Sequence, residues 1–362
     1  MSLLDHDDVT SESSPADQLT AKSVTRTEEM VYLFFGVWNL IGLCLDGWAH
    51  RHRPELETFF TPWHAVFYTG FTGAAAWLGW MTIRRRRSAP SLRAAIPDGY
   101  GLAVAGLGLF AVGAVGDGFW HTIFGIETGI DALLSPTHLM LLVGMLAGIT
   151  APIRSAWRGS SDTTDASFKS FLPVTLSASI ATTGIAFFHL YINGFSNWSL
   201  QFEYIPNESE VQAGFGIFAV MASTIILMFP VLLLARRWNP PVGTFTALFT
   251  IVGVFMAGLD AFAFPWQVIA PFVGGLTADF ALRAPLPHRR HRLWLTGATV
   301  PVTMWLASTL AIHLAWTVAW PPDLWLGVIV MASLAGFSLA VLAYPPAEPS
   351  GVASLERQPE GV

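Results

Sequence analysis

The chain has 362 residues, of which 53% are hydrophobic and only 12% are charged, with a net charge of -6 at pH 7. Soluble domains carry about 25% charged residues, so this composition excludes an ordinary soluble protein and predicts a polytopic membrane protein. The single cysteine, Cys44, excludes an internal disulfide and a cysteine-rich metal site. The few arginine clusters do not indicate nucleic-acid binding.

Apolar runs alternate with polar loops along most of the chain. A helix that crosses a bilayer needs about 20 mostly apolar residues. The sequence therefore predicts an all-α bundle of about ten membrane-spanning helices, at 30–48, 62–83, 100–121, 133–153, 171–193, 211–235, 242–263, 265–283, 294–318 and 323–344.

The polar ends of the chain and the rhythm of its hairpins predict four regions. Residues 1–29 and 345–362 lack apolar runs and are predicted to be a disordered head and tail on the cytoplasmic side. Residues 30–158 form a predicted four-helix region in which one motif occurs twice. Residues 159–344 form a predicted six-helix region of related hairpins without a complete copy of that motif.

Basic residues indicate the orientation of the bundle. If the spans alternate in direction, one side collects Lys22, Arg26, Arg84 to Arg87, Arg93, Arg154, Arg158, Lys169, Arg236, Arg237, Arg289, Arg290 and Arg292. By the positive-inside rule this side is cytoplasmic, which predicts a multi-pass protein of the cell inner membrane with both termini inside. Only Arg51 and Arg53 then lie on the extracytoplasmic side.

The first copy of the motif joins the first two predicted spans at their extracytoplasmic ends. Asp46 and His50 are four residues apart, which places both on one face of a helix. His64 follows Pro62, and proline in a first turn is a signal for a helix start. A hairpin would therefore bring one carboxylate and two imidazoles together.

The second copy joins the third and fourth predicted spans in the same way. Asp117 and His121 are again four residues apart, and Pro136 and His138 open the next span after Ser135, a plausible N-cap. One carboxylate with two imidazoles is a ligand set for a divalent transition metal. Metal binding would also offset the cost of an aspartate in the membrane, about 2.5–3.5 kcal/mol when it is unpaired.

A lone histidine at a helix end is usually an interfacial, solvated residue, but two copies of the pattern favour a metal in each hairpin. Other polar residues near the same side are weaker candidates. Glu127 and Asp131 either join the second site or only solvate its loop. Four further residues could each be a hydrogen-bonded group between helices: His189, Asp260, Gln267 and His313.

Both motifs resemble copper motifs in the C subunit of the copper membrane monooxygenases, the family of particulate methane monooxygenase and ammonia monooxygenase. In the first motif the resemblance lies in DGWAH at 46–50, FTPWH at 60–64 and FY at 67–68. In the second it lies in HT at 121–122, Glu127 and PTH at 136–138, although Asp117 stands where the family more often has Asn. The similarity is limited to about residues 30–150 and implies one copper ion in each motif, bound by its aspartate and two histidines.

The resemblance implies a copper-dependent monooxygenase component that hydroxylates a small apolar or weakly polar substrate, in contact with other monooxygenase-type subunits or as a homo-oligomer. Iron and zinc also suit these ligands. The residues alone leave open a metal-binding or metal-transport protein without oxygenase activity. Transport is disfavoured because it needs ligands or acids at the bilayer midplane and few are visible there; the best candidate, Asp279, lies nearer the inner side. Bis-histidine haem binding is disfavoured by the recurring aspartate.

Overall fold

The computed structural model describes residues 23–53, 60–127, 129–159, 167–196 and 198–344. Residues 1–22 and 345–362, which belong to the predicted head and tail, lie outside these ranges. Within the described residues every regular element is a helix. The prediction of an all-α protein is therefore confirmed for the part of the chain that the structure describes.

Thirteen α-helices follow one another along the described residues. They are α1 (Arg26–His52), α2 (Pro62–Arg86), α3 (Leu92–Ala95), α4 (Gly101–Phe124), α5 (Asp131–Leu134), α6 (Pro136–Ile149), α7 (Ala151–Arg158), α8 (Phe168–Phe188), α9 (Glu210–Arg237), α10 (Thr244–Leu259), α11 (Trp266–Ala281), α12 (Arg289–Ala315) and α13 (Pro322–Ala343). Two short 3₁₀ segments, Leu190–Ile192 and Trp198–Gln201, lie between α8 and α9.

Among the described residues, seven helical segments are long and apolar enough to cross a membrane, whereas the sequence predicted about ten. They are α1, α4, the α6–α7 segment, α8, α9, α12 and α13. Three predicted spans are not among them: α2, which has 25 residues, and α10 and α11, which are helices of only 16 residues each. At 1.5 Å per residue such a helix is about 24 Å long, which is less than the roughly 30 Å of the hydrocarbon core.

The first two hairpins are held closed by glycines at their helix crossings. In α1, a Cβ on Gly42 would lie 2.3 Å from the Cα of Phe67 in α2, and Asn39 Nδ2 donates to Phe67 O at 2.9 Å. In the second hairpin, a Cβ on Gly144 of α6 would lie 2.7 Å from the carbonyl oxygen of Gly106 in α4. Small residues allow such close backbone approach in membrane bundles. Each hairpin therefore sets the distance between the ends of its two helices.

The core of the fold lies around α8, which packs against α1, α6, α9 and α10. Its neighbours continue outward through α10 with α11, α11 with α12, and α12 with α13. This central helix begins after its N-cap residue, Ser167, whose side chain accepts a hydrogen bond from Ser170 N. Both motif hairpins thus rest on one buried helix, which brings their ends into the same part of the bundle.

Asp279 of α11 has a structural role that its apolar surroundings in the sequence did not reveal. Its buried carboxylate accepts hydrogen bonds from the backbone N–H groups of Gly243, Phe245 and Thr246 at 3.0, 3.2 and 3.0 Å. The hydroxyl of Thr246 donates a fourth bond at 2.7 Å. Asp279 therefore caps the N-terminus of α10 from a neighbouring helix, as carboxylates at helix N-termini do.

Candidate metal centre

The last turns of α1 and the first turn of α2 bring the first motif together. His50 Nε2 lies 3.8 Å from Asp46 Oδ2, and His64 Nε2 lies 3.5 Å from Asp46 Oδ1. The N-cap Thr61 accepts from His64 N at 3.2 Å, which holds His64 at the start of α2. One ligand atom from each of the three residues lies within 4.8 Å of the others, so this first triad could hold one metal ion.

The second motif forms a second triad at the end of α4 and the start of α6. His138 Nε2 lies 2.9 Å and His121 Nε2 lies 3.5 Å from Asp117 Oδ1, and the three ligand atoms again lie within 4.8 Å of one another. The Asp117 side chain is 1% exposed. Its carboxylate also accepts from Thr137 Oγ1 and from Tyr68 OH, each at 3.1 Å. These donors fix the carboxylate in place without removing it from the histidines.

Three of the four triad histidines use Nδ1 for a local hydrogen bond. The partners are Thr61 Oγ1 for His64 at 3.3 Å, Gly125 O for His121 at 3.2 Å, and Ala132 O for His138. When Nδ1 carries the proton in these bonds, the lone pair of Nε2 faces the carboxylate of the triad. A hydrogen bond at one ring nitrogen orients the other toward a metal in most histidine sites.

The two triads lie side by side, a point that the sequence left open. The ring centroids of His64 and His121, which belong to different triads, are 6.4 Å apart, the same separation as between His50 and His64 within the first triad. Tyr68 connects them, because its ring stacks on His64 at 6.0 Å and its hydroxyl donates to Asp117. The motif that is repeated in the sequence therefore forms two adjacent triads in the fold.

One cavity of about 120 Å³ joins both triads. Five of the six triad residues line it, together with Tyr68 and Arg51, and only His121 is not part of its wall. The rest of the wall is mostly apolar and includes Leu43, Phe67, Leu133, Leu141, Met145 and Phe187. The triads therefore face a small cavity with a mostly apolar wall.

Of the two weaker candidates near the second triad, only Glu127 reaches it. Glu127 Oε2 lies 3.5 Å from His121 Nδ1, and Glu127 Oε1 accepts from the indole N–H of Trp120. Asp131 instead accepts from Gly129 N at 3.0 Å and organises the loop before α5. Glu127 thus acts on His121 from the side opposite to Asp117.

The four remaining candidates stand outside both triads. Asp260 and Gln267 form a buried network with Ser196 and Arg51. His189 Nδ1 bonds to Ile185 O at 2.8 Å at the end of α8, and His313 is exposed on α12.

Sequence reasoning did not assign Tyr68 or Arg51 to the metal sites, although both had a local signal. Tyr68 is four residues after His64, and Arg51 directly follows His50. The spacing of four places Tyr68 on the same face of α2 as His64.

Comparison with known proteins provides no assignment. No family model matches the chain, and neither a curated protein nor a solved structure matches it. Within the part of the chain that the structure describes, the protein is helical, with seven candidate membrane spans and two Asp-His-His groups that could bind metal. Any more specific function has to be argued from the chemistry of the two triads and their cavity.

Proposed function

We propose that this chain is an integral membrane protein that binds two transition-metal ions side by side, in one cavity at the extracytoplasmic ends of its helices. The observation that carries the proposal is the pair of adjacent triads, in which one carboxylate oxygen and one ring nitrogen from each of two histidines converge within 4.8 Å in each copy. Single histidines at a membrane interface would not repeat this arrangement.

The orientation rests on the positions of the arginines relative to the triads. His64 begins α2 and Arg84 is near its end, 20 residues later, which corresponds to about 30 Å of helix. This distance matches the hydrocarbon thickness of a bilayer. With the arginines on the cytoplasmic side, the triads lie on the other side, and both termini lie inside if α2 also crosses the membrane and α10 and α11 together cross and return.

Copper is the proposed metal. Imidazole and carboxylate ligands suit copper, iron and zinc, and the resemblance of the motifs to those of the copper membrane monooxygenases favours copper. Each triad supplies three protein ligands, which leaves coordination positions open, and a bound copper ion would supply oxygen activation at those positions. The chain itself orients the imidazoles, holds Asp117 in place and surrounds the triads with a mostly apolar wall.

The proposed activity is that of a monooxygenase-like subunit acting on a small apolar substrate. The apolar part of the cavity wall lies directly beside both triads, and its volume of about 120 Å³ fits a molecule of a few carbon atoms. Metal transport without oxygenase activity is the competing function. It is weakened because Asp279 accepts four hydrogen bonds at the start of α10. It therefore offers no ligand on a path through the bilayer.

Metal content of the detergent-purified protein tests the proposal. Wild type is compared with His50→Ala/His64→Ala and with His121→Ala/His138→Ala by mass spectrometry of metals and by EPR. We expect two copper ions per chain, falling by one in each double variant. His52→Ala is the matched control, because His52 lies at the same helix end but bonds to Trp48 O.

Wild type without bound transition metal, or a metal content indifferent to the triad histidines, would refute the proposal. Oxygen consumption and product formation with small alkanes then separate the two functions that share the metal site. Two bound copper ions without any oxidised product would favour a metal-binding protein over a chain that is an oxygenase by itself.

A further inference from the structure

Arg51 is an unexpected residue beside a cation site. It follows His50 directly, and it lines the cavity that the two triads share. Among the described residues of that wall it is the only lysine or arginine. A positive side chain at this place opposes the binding of cations, so the fold must deal with its charge if the proposed function, on which this inference rests, is correct.

The C-terminal half of the chain supplies a partner for this charge. Arg51 Nη2 lies 2.8 Å from Asp260 Oδ1, and the Asp260 side chain is 7% exposed. The second carboxylate oxygen, Oδ2, accepts from Gln267 Nε2 at 2.6 Å and from Ser196 Oγ at 3.2 Å. Gln267 Nε2 also donates to Ser196 Oγ at 2.8 Å, and Gln267 is fully buried. Three separate segments thus converge on one ion pair.

The backbone around Asp260 is shaped to present its carboxylate. Asp260 is the C-cap of α10, and the two residues after it, Ala261 and Phe262, have φ angles of 51° and 59°. This left-handed region is unusual for residues other than glycine and costs free energy at each position. Phe262 N bonds back to Ala257 O at 2.8 Å and closes the turn. The fold maintains this unfavourable turn at the point where Asp260 meets Arg51.

Arg51 has a competing carboxylate within the same cavity. Asp46 also lines the cavity, and its buried Oδ1 accepts no hydrogen bond from the described residues. Guanidinium groups bind carboxylates strongly, often through two parallel hydrogen bonds. An Arg51 side chain released from Asp260 would therefore be attracted to the ligand carboxylate of the first triad and would compete with a metal ion for it.

We propose that Asp260 is a positioning residue for the first metal site. It neutralises Arg51 and holds the guanidinium away from Asp46, so that Asp46 stays available as a metal ligand. Gln267 and Ser196 fix the Asp260 carboxylate in this position. The C-terminal half of the chain thereby controls the metal affinity of a site to which it contributes no ligand.

The test measures Cu(II) and Zn(II) dissociation constants by chelator competition, with His121→Ala/His138→Ala as the background that isolates the first triad. Asp260→Asn should weaken binding by about tenfold or more, the range found for residues that act on metal ligands indirectly. Arg51→Gln should bind at least as tightly as the background. Asp260→Asn/Arg51→Gln should return to the background affinity, because the competing charge has been removed.

The matched control is Asp279→Asn, the same chemical change at another buried aspartate. Asp279 lies on α11, about 18 Å along the helix from Gln267. This change should lower thermal stability without changing metal affinity. Unchanged binding in Asp260→Asn, or a double variant as weak as Asp260→Asn, would overturn the inference, the latter by assigning Asp260 a purely structural role.

A second comparison holds even if Asp260→Asn fails to fold. Arg51 is 41% exposed, so Arg51→Gln is expected to fold, and weaker metal binding in this variant would also overturn the inference. If the proposed function is wrong, the wild type binds no metal, and this outcome overturns the inference as well. If only the inference is wrong, the wild type binds metal and the variants do not behave as expected.

Discussion

Replacing Gly42 with alanine should disrupt the first triad without altering any of its ligands. A Cβ at Gly42 would lie 2.3 Å from the Cα and 2.4 Å from the N of Phe67, both backbone atoms that cannot turn aside. Ordinary contact begins near 3.4 Å, so α1 and α2 must separate by about 1 Å. Metal sites tolerate deviations of only about 0.2 Å in ligand distance. Asp46 lies one turn after Gly42, and His64 one turn before Phe67, so the separation reaches both sides of the triad.

The matched control is Gly79→Ala in α2, where an added Cβ meets no atom within 4 Å. Alanine favours a helix over glycine by up to about 1 kcal/mol, so this variant should be as stable as wild type or more stable. Gly42→Ala should instead lose about 1–3 kcal/mol through overpacking.

Metal stoichiometry and thermal unfolding in detergent report the two effects separately. Gly42→Ala should retain the metal of the second triad and lose that of the first. If Gly42→Ala binds metal at the first triad with wild-type affinity, the argument that helix packing sets the site is refuted.

Two further predictions concern single side chains. Tyr68→Phe removes the hydroxyl that donates to Asp117. It should weaken metal binding at the second triad about tenfold, measured by chelator competition. Its stability, measured by thermal unfolding, should fall by only about 1 kcal/mol. Tyr100→Phe is its control, since the Tyr100 hydroxyl is buried and makes no hydrogen bond within the described residues, and equal binding in both variants would contradict the role of Tyr68. Asp279→Asn should lower stability by about 2 kcal/mol or more while metal content stays at two ions per chain, and a loss of metal would instead place Asp279 on a metal path.

Features that depend on local spacing could be predicted from the sequence. The grouping of Asp46 with His50, and of Asp117 with His121, follows from the i, i+4 geometry of a helix. The positions of the third ligands, His64 and His138, follow from Pro62 and Pro136, which open α2 and α6. Helix starts at proline and polar caps are encoded within a few residues.

Features that depend on tertiary packing could not be predicted in this way. The 6.4 Å separation between the rings of His64 and His121 results from how two hairpins rest on α8. The pair of Arg51 and Asp260 joins residues 209 positions apart in the chain. In the sequence, Asp279 is an acid in an apolar span. Its four hydrogen-bond donors lie 33 to 36 residues earlier, at a helix start that hydropathy does not mark, so its capping role could not be predicted.

The charges around the cavity explain why cations are its expected occupants. Asp46 and Asp117 both line it, and two carboxylates close together in apolar surroundings repel each other and are costly to bury. Arg51 is the only fixed positive charge among the described residues of the wall, and Asp260 already neutralises it from outside. The two ligand carboxylates are therefore left to the imidazoles and to whatever the cavity binds. Two metal ions, each between one carboxylate and two imidazoles, would more than neutralise the two carboxylates and use every triad ligand, whereas an apolar molecule alone would bring no positive charge to either carboxylate.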